Sequence, residues 1–148
     1  MNDNSIPFTA PFQVAWRDLD YNRHMANIAY FSYAAQTRQL YFAARGFGLE
    51  EFEASGVGPA TLDETIHYHR EMKFLEHFTV DYLCGGMNSK KTRYVIVNRF
   101  RGEDGEIRAD ISSHFVWMDL KTRRAVAPPS AIGDLMDGLV RTDDFREL

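Results

Sequence analysis

The feature that most constrains the fold is a change of pattern along the chain. Ile28–Arg45 contains no proline or glycine and is rich in Ala, Leu, Gln, Arg, Tyr and Phe, which predicts a long helix. Asn27 is a suitable N-cap for it, and Gly46 is a suitable residue to end it. Apolar and aromatic residues lie on nearly every face, so we expect this helix to be buried.

The pattern elsewhere indicates strands. Alternating apolar and polar residues predict them at Phe12–Trp16, Thr61–Glu71, Phe78–Met87, Thr92–Phe100 and Ile107–Met118. Ser130 is a plausible cap for a final short helix over residues 130–139. A strand, a long helix and then antiparallel strands form an α+β arrangement with the helix on one face of a sheet. One helix covers little of a broad sheet, so we expect a homodimer.

Length and composition limit the class of protein. The 148 residues suit a single domain, 1–148, with its core at about 12–129. The formal net charge of −4 offers no basic footprint for nucleic acid. The single cysteine, Cys84, excludes an internal disulfide and favours a reducing compartment, so we expect a cytoplasmic protein. Met1–Thr9 has no apolar signal segment, and no apolar run is long enough to span a membrane.

The densest group of reactive side chains lies just before the predicted helix. Asp20, Asn22 and His24 occur within five residues there. A helix N-terminus exposes backbone N–H donors and a positive dipole end, which can stabilise an oxyanion. A carboxylate nearby can act as a base for water or as a nucleophile. The segment therefore contains two parts that acyl transfer needs, although Asp and Asn before a helix can also simply form a turn and a cap.

The run from Asp18 to Tyr30 resembles the D-x-D-x-N-x-H-x-N-N-x-x-Y motif of hot-dog thioesterases, especially the plant acyl-ACP thioesterases. It is also similar to the broader 4-hydroxybenzoyl-CoA thioesterase-like superfamily, in which one Asp before the central helix is the recurrent catalytic residue. The resemblance implies a single hot-dog domain, with a long central helix wrapped by an antiparallel sheet. It places Asp20 at the catalytic position, and Asn22 and His24 at the Asn and His implicated in the plant enzymes.

A second stretch extends the resemblance. His69–Met72 resembles the R-R-E-C stretch of the plant enzymes, so Glu71 inherits a catalytic role. The match has two departures: Ala26 replaces the first Asn of the Asn pair, and Met72 replaces the Cys. The plant enzymes carry two hot-dog repeats and this chain has room for one. The resemblance therefore makes a homodimer, or a tetramer built from it, the natural substitute.

The resemblance implies a thioester hydrolase that acts on acyl-CoA or acyl-ACP without a metal or another cofactor. Asp20 would activate water or attack the thioester carbonyl directly. Backbone N–H groups near Met25 and Asn27 would hold the oxyanion, with Tyr30 assisting in positioning. No membrane or nucleic-acid partner is expected.

Two other clusters admit a functional or a purely structural interpretation. Three basic residues near a predicted turn could meet coenzyme A phosphates or could simply be solvated: Lys90, Lys91 and Arg93. His67, His69 and Glu71 alternate along a predicted strand and would point to one face, as a metal triad does. The resemblance explains Glu71 without a metal, so we do not expect a metal site there.

Three alternatives stay open at this point. A hot-dog hydratase or dehydratase also uses Asp and His, and a non-catalytic hot-dog protein could bind acyl ligands without turnover. The Asp20–Met25 run is also similar to thioesterase modules that act on small polar acyl-CoAs such as betainyl-CoA. The polarity of the acyl group is therefore open.

Overall fold

The computed structural model describes residues 6–148, so Met1–Ser5 and the part of the Met1–Thr9 prediction that falls on them lie outside the described residues. The strands are β1 (Phe8–Gln13), β2 (Val57–Tyr68), β3 (His77–Met87), β4 (Arg93–Arg101), β5 (Ile107–Asp119) and β6 (Arg141–Glu147). The helices are α1 (Asn27–Ala43), α2 (Leu49–Ser55) and α3 (Ser130–Asp137), with one short 3-10 turn at Trp16–Asp18.

The strands form one sheet in the order β1-β3-β4-β5-β2, and β6 pairs with the second half of β3. Every pairing is antiparallel except that of β6 with β3. The described chain is thus a long helix against a largely antiparallel sheet, which confirms the predicted α+β class. The strand β2 ends the order and has a hydrogen-bonded neighbour on one side only, β5, within residues 6–148.

The topology collects several chain segments at one end of the sheet. Gln13, the last residue of β1, pairs with His77, the first residue of β3. Tyr68, the last residue of β2, pairs with Ala109 near the start of β5. The loop that precedes α1 and the loop between β2 and β3 therefore lie at this same end, where α1 begins.

The core divides into two clusters along α1. Tyr30 and Ala34, in the first half of the helix, pack with Met72, Phe78 and Phe100. The cluster under the second half of the helix contains Tyr41, Phe42, Tyr82, Tyr94, Phe115, Trp117 and Ile132. Edge-to-face contacts between aromatic rings recur in both clusters, which is the arrangement that aromatic quadrupoles favour.

The predictions for α1 need three corrections. The N-cap is Ala26, with no side-chain capping bond, and Asn27 is the first helical residue. The helix ends at Ala43, before Gly46. It is also not buried all round, since Ile28 is 73% exposed. Apolar composition alone did not show which face meets the sheet.

The strand predictions hold for the later strands and need correction for the earlier ones. β1 begins at Phe8 and ends at Gln13, because residues 16–18 turn into a 3-10 helix. β2 begins at Val57 and ends at Tyr68, so Glu71 lies in a loop and not on the strand. The C-terminal strand β6 was not predicted, and its polar sequence reflects its exposure.

The C-terminal helix α3 runs over Ser130–Asp137, slightly shorter than predicted, and Pro129 is its N-cap instead of Ser130. Proline lacks an N–H donor but has a carbonyl, and the Pro129 carbonyl accepts the amides of Ile132 and Gly133. In the part of the chain that the structure describes, no helix is long and apolar enough to cross a membrane.

Candidate active site

A tight loop places the Asp20–His24 segment directly ahead of α1. The Ala26 amide donates to the Asp18 carbonyl over 2.7 Å, and the Asp20 amide donates to the His24 carbonyl over 3.1 Å. Arg23 adopts a positive φ of 65° at the tip and donates its amide to the Asp20 carbonyl. The loop is therefore a closed hairpin-like turn that holds Asp20 six residues before the helix N-cap, Ala26.

The Asp20 side chain is exposed, and one of its two carboxylate oxygens accepts a hydrogen bond. Its Oδ1 accepts the backbone amide of Asn22 over 2.8 Å, which forms a local Asx turn. Among residues 6–148, no hydrogen bond or ion pair involves Oδ2. One carboxylate oxygen thus stabilises the loop, and the other has no partner within residues 6–148. The neighbouring Tyr21 is fully exposed.

Asp18 holds the start of this loop in place through hydrogen bonds from Ala15 and Tyr33, a role that sequence analysis did not assign. It is 9% exposed, and its Oδ2 accepts the Ala15 amide at 2.8 Å and the Tyr33 hydroxyl at 2.5 Å. Burial, followed by the hydrogen bond to Asp18, raises the pKa of Tyr33 to about 12. Tyr33 therefore remains a hydroxyl donor throughout the ordinary pH range. The sequence feature that could have indicated this role is the position of Asp18 as the first Asp of the D-x-D motif.

The loop that contains Glu71 pairs with the Asp20 loop. The Met25 amide donates to the Met72 carbonyl over 2.9 Å, and an antiparallel bridge joins His24 to Lys73. Arg108 supports this loop from β5, with Nη1 donating to the Glu71 carbonyl over 2.8 Å. The structure therefore brings the two predicted segments together, although Glu71 reaches the site from a loop.

The Glu71 carboxylate is exposed and is held in its ionised form by its surroundings. A hydrogen bond from its own backbone amide, followed by the nearby His24, Arg70 and Lys73, lowers its pKa below the usual value. Glu71 is therefore charged under ordinary conditions.

The start of α1 provides free backbone donors. The Met25 amide is occupied by Met72 and the Ala26 amide by Asp18, so the predicted oxyanion role of the Met25 amide needs correction. Within residues 6–148, no hydrogen bond uses the amides of Asn27 and Ile28. These two groups are the donors that can hold an oxyanion at the positive end of the helix.

Tyr30 lies in the core beneath the site. It is 2% exposed and packs edge-to-face against Tyr68 and Phe100. Burial is the main cause that raises its pKa to about 12. In the single chain, Tyr30 supports the helix start by packing.

The three basic residues of the β3–β4 turn lie away from this site. Lys90, Lys91 and Arg93 adjoin the end of β3, whereas the Asp20 and Glu71 loops adjoin its beginning. Lys91 donates to Asp137 over 2.8 Å. A single chain therefore does not bring these residues to Asp20.

His67, in β2, and His69, just after the end of that strand, share one carboxylate. His69 Nε2 lies 2.8 Å from Asp110, and His67 Nδ1 lies 3.5 Å from the other oxygen of Asp110. Glu71 is not part of this cluster, because β2 has ended before it. Across the described residues, no group of three or more His, Cys, Asp or Glu side chains is arranged to hold a metal ion.

Comparison with protein families identifies the group to which this fold and site belong. The sequence model of the thioesterase-like superfamily matches residues 14–136. The chain belongs to the thioesterase-like superfamily. Membership of this superfamily supports thioester hydrolysis as the class of activity. Among curated protein sequences, none matches the chain significantly.

Solved structures show that this member of the superfamily has the hot-dog fold. The hypothetical protein SAV2348 from Staphylococcus aureus, in complex with CoA, has a TM-score of 0.79 at 21% identity, over 95% of this chain and 92% of that one. Slr0204, a 1,4-dihydroxy-2-naphthoyl-CoA thioesterase from Synechocystis, has a TM-score of 0.78 at 13% identity, over 88% and 95%. YbaW, a probable thioesterase from Escherichia coli, has a TM-score of 0.75 at 19% identity, over 90% and 99%.

Proposed function

We propose that the chain is an acyl-CoA thioesterase that hydrolyses an acyl thioester to a free acid and a thiol. The observation that carries this proposal is the juxtaposition at the start of α1. The uncapped helix offers the free amides of Asn27 and Ile28, and the Asp20 turn lies directly before them. Superfamily membership supports the same class of chemistry.

Two chemical roles are assigned to this end of α1. The amides of Asn27 and Ile28 donate to the carbonyl oxygen as it becomes an oxyanion, where the helix dipole adds a favourable field. Asp20 takes a proton from water, or attacks the carbonyl itself, through the oxygen that is free of the Asx turn. His24 and Glu71 adjoin the site through the paired loop and position the water or the carbonyl. Asn22 holds Asp20 through its backbone amide.

The carrier is coenzyme A. The complex of SAV2348 with CoA, and the CoA thioester named for Slr0204, support this choice for a chain of the same fold. An acyl carrier protein is the other carrier that the motif resemblance allows, and the substrate screen below compares the two.

The functional unit is a homodimer. β2 is twelve residues long, and most of its side chains are exposed. Within residues 6–148 no strand pairs with its outer edge, so this edge presents backbone groups that a second copy can satisfy. Exposed apolar side chains also surround the Asp20 loop, including Trp16, Ile28 and Phe74. A second copy that covers this region would exclude water from the reacting thioester. Sedimentation should give twice the mass of one chain, and a monomer at micromolar concentration would contradict this assignment.

A thiol-release screen tests the proposed activity. Purified protein is incubated with acyl-CoAs of increasing chain length, with polar acyl-CoAs, with enoyl-CoA and with acyl-ACP. We expect free thiol from at least one saturated acyl-CoA. Hydration of enoyl-CoA without thiol release would instead show a hydratase, and binding without turnover across the whole panel would show an acyl-ligand-binding protein. Either result would overturn the proposal.

A further inference from the structure

A cavity of about 130 Å³ lies between the second half of α1 and the sheet, apart from the Asp20 turn. Its lining combines aromatic and polar side chains; it includes Arg38, Phe42, Phe52, Ser113, Phe115 and Trp117. An apolar cavity of about 150 Å³ can hold benzene, so this slightly smaller one admits the last few carbons of a chain.

Arg38 brings a cation to the wall of this cavity. Its Nε donates to Asn98 Oδ1 over 3.0 Å, and its Nη2 donates to Ser113 Oγ over 3.0 Å. The Glu64 carboxylate lies 3.3 Å from Nη2 and balances the charge. Within residues 6–148, no hydrogen bond uses Nη1. The guanidinium is therefore held in place with one nitrogen left to bind a ligand.

Trp117 forms part of the wall of the same cavity with its ring. Its side chain is 2% exposed, and its indole Nε1 is buried and does not open into the cavity. The donor available to a ligand is therefore Nη1 of Arg38. An arginine can only donate. The matching ligand group must therefore accept hydrogen bonds.

The charge of the cluster limits the type of acceptor. Glu64 already neutralises Arg38, and it also accepts the Ser113 hydroxyl over 2.5 Å. A second carboxylate would meet the repulsion of Glu64 in a partly buried place, where screening by water is weak. A neutral oxygen, such as a hydroxyl or a carbonyl, gains the donor without that cost.

We infer that this cavity is a subsite for the far end of the acyl group and that it selects acyl chains with a neutral oxygen there. The inference rests on the proposed thioesterase activity. Arg38 lies eleven residues after Asn27, which is about 16 Å along the helix at about 1.5 Å per residue. With C–C bonds of about 1.5 Å at tetrahedral angles, an extended chain advances about 1.25 Å per bond, so a twelve-carbon chain with an oxygen at its end spans about 15 Å, close to that distance.

The kinetic test compares substrates that differ by one oxygen. In the wild type, kcat/KM for ω-hydroxydodecanoyl-CoA should exceed that for dodecanoyl-CoA on the order of tenfold, as expected for one hydrogen bond to a charged donor. The hexanoyl pair should show a ratio near one, because the shorter chain does not reach Arg38. A ratio near one in the dodecanoyl pair, or an equal preference in the hexanoyl pair, would overturn the inference.

One conservative variant identifies the donor. Arg38→Lys keeps a charge beside Glu64 but removes Nη1, so it should move the dodecanoyl ratio toward one. Gln36→Lys is the matched control, because Gln36 is exposed on the same helix and lies outside the lining of the cavity; it should leave the ratio at its wild-type value. The ratio is internal to each protein, so a loss of folded protein does not change it. An unchanged ratio in Arg38→Lys would contradict the inference.

A binding measurement separates this inference from the proposed function. The chain contains two tryptophans, so Trp16→Phe leaves Trp117 as the only indole. Free ω-hydroxydodecanoic acid should change the emission of Trp117 at a concentration about tenfold lower than dodecanoic acid does. This result would support the subsite even if no thioester were hydrolysed. Equal titration midpoints for the two acids would overturn it.

Discussion

The polar groups at the two ends of α1 differ in how far their hydrogen bonds are satisfied within the chain. At the start of the helix, Asp20 is exposed, one of its oxygens is free, and the amides of Asn27 and Ile28 have no partners within residues 6–148. In the second half, Arg38 is 19% exposed and donates to three side chains. The first region has few internal contacts, and the second joins the helix to β2, β4 and β5.

This difference separates the residues that we propose take part in catalysis from the residues that stabilise the fold. Groups that bind a reacting carbonyl must be unsatisfied in the free protein, so removing them should cost rate and little stability. Groups that bond to one another across the core should cost stability when removed. Each prediction below tests one side of this contrast.

The largest effect is expected for Asp20→Asn. The amide side chain preserves the Asx turn but cannot act as a base or nucleophile, so the rate of thioester hydrolysis should fall about 10²–10⁴-fold. The free energy of unfolding should change by less than about 0.5 kcal/mol, since the side chain is exposed. Thiol release and urea unfolding measure the two quantities. Asp143→Asn, at an exposed carboxylate on β6, is the control and should leave both unchanged. A rate close to wild type would remove Asp20 from the mechanism.

Arg38→Met is expected to lower the stability of the protein, in contrast to Asp20→Asn. It removes the cation that pairs with Glu64 and the donor to the Asn98 side-chain oxygen, while Ser113 keeps its hydrogen bond to Glu64; this should lower the free energy of unfolding by about 2–3 kcal/mol. Gln36→Met, at an exposed position on the same helix, should change it by less than about 0.5 kcal/mol. Urea unfolding measures both variants. Equal stability of the two would show that the Arg38 cluster does not join the helix to the sheet energetically.

Tyr33→Phe is expected to combine a moderate loss of stability with a moderate loss of activity, between the effects of Asp20→Asn and Arg38→Met. It removes the hydroxyl that donates to Asp18 and should lower the free energy of unfolding by about 1–2 kcal/mol. Because Asp18 carries the Asp20 loop, kcat should also fall while KM for the acyl-CoA changes little. Tyr21→Phe is the matched control at a fully exposed tyrosine and should alter neither quantity. A loss of stability with unchanged kcat would limit Tyr33 to a structural role.

The smallest effect is expected from the titration of Glu71. Its pKa is lowered in the folded chain by its own amide and by nearby cations. A carboxyl with a lowered pKa stabilises the fold above its ordinary pKa, and that contribution is lost as pH falls through the folded value. The midpoint of thermal unfolding of Glu71→Gln should therefore lie slightly below that of the wild type at pH 6, and the difference should shrink as the pH falls below the ordinary pKa of a glutamate. A gap that widened on acidification would contradict the sign of this shift.

Much of the fold could be predicted from the sequence because its signals are local. The absence of breakers over residues 28–45 indicated α1, and alternation indicated β3, β4 and β5 nearly to the residue. β6 could not be predicted in this way, because its pairing with β3 depends on an edge that the tertiary structure provides. The exposed face of α1 was missed for a similar reason: composition does not state which side of a helix meets the sheet.

The site could be predicted only as far as its motif extends. Asp20, Asn22, His24 and Glu71 were found through a resemblance, and the structure brings their two loops together. Their supports were missed, because Tyr33 and Arg108 lie far away in sequence and meet the loops only after folding. The sequence also could not predict that the Met25 amide is already hydrogen-bonded, because its partner, Met72, belongs to a loop that is distant in sequence.

A structure of the protein with a non-hydrolysable acyl-CoA, in which an amide replaces the thioester, would test the central claim most directly. We expect the acyl carbonyl oxygen within hydrogen-bond distance of the Asn27 or Ile28 amide, with the free oxygen of Asp20 facing the carbonyl carbon. A carbonyl bound elsewhere, with Asp20 still turned to solvent, would contradict the account.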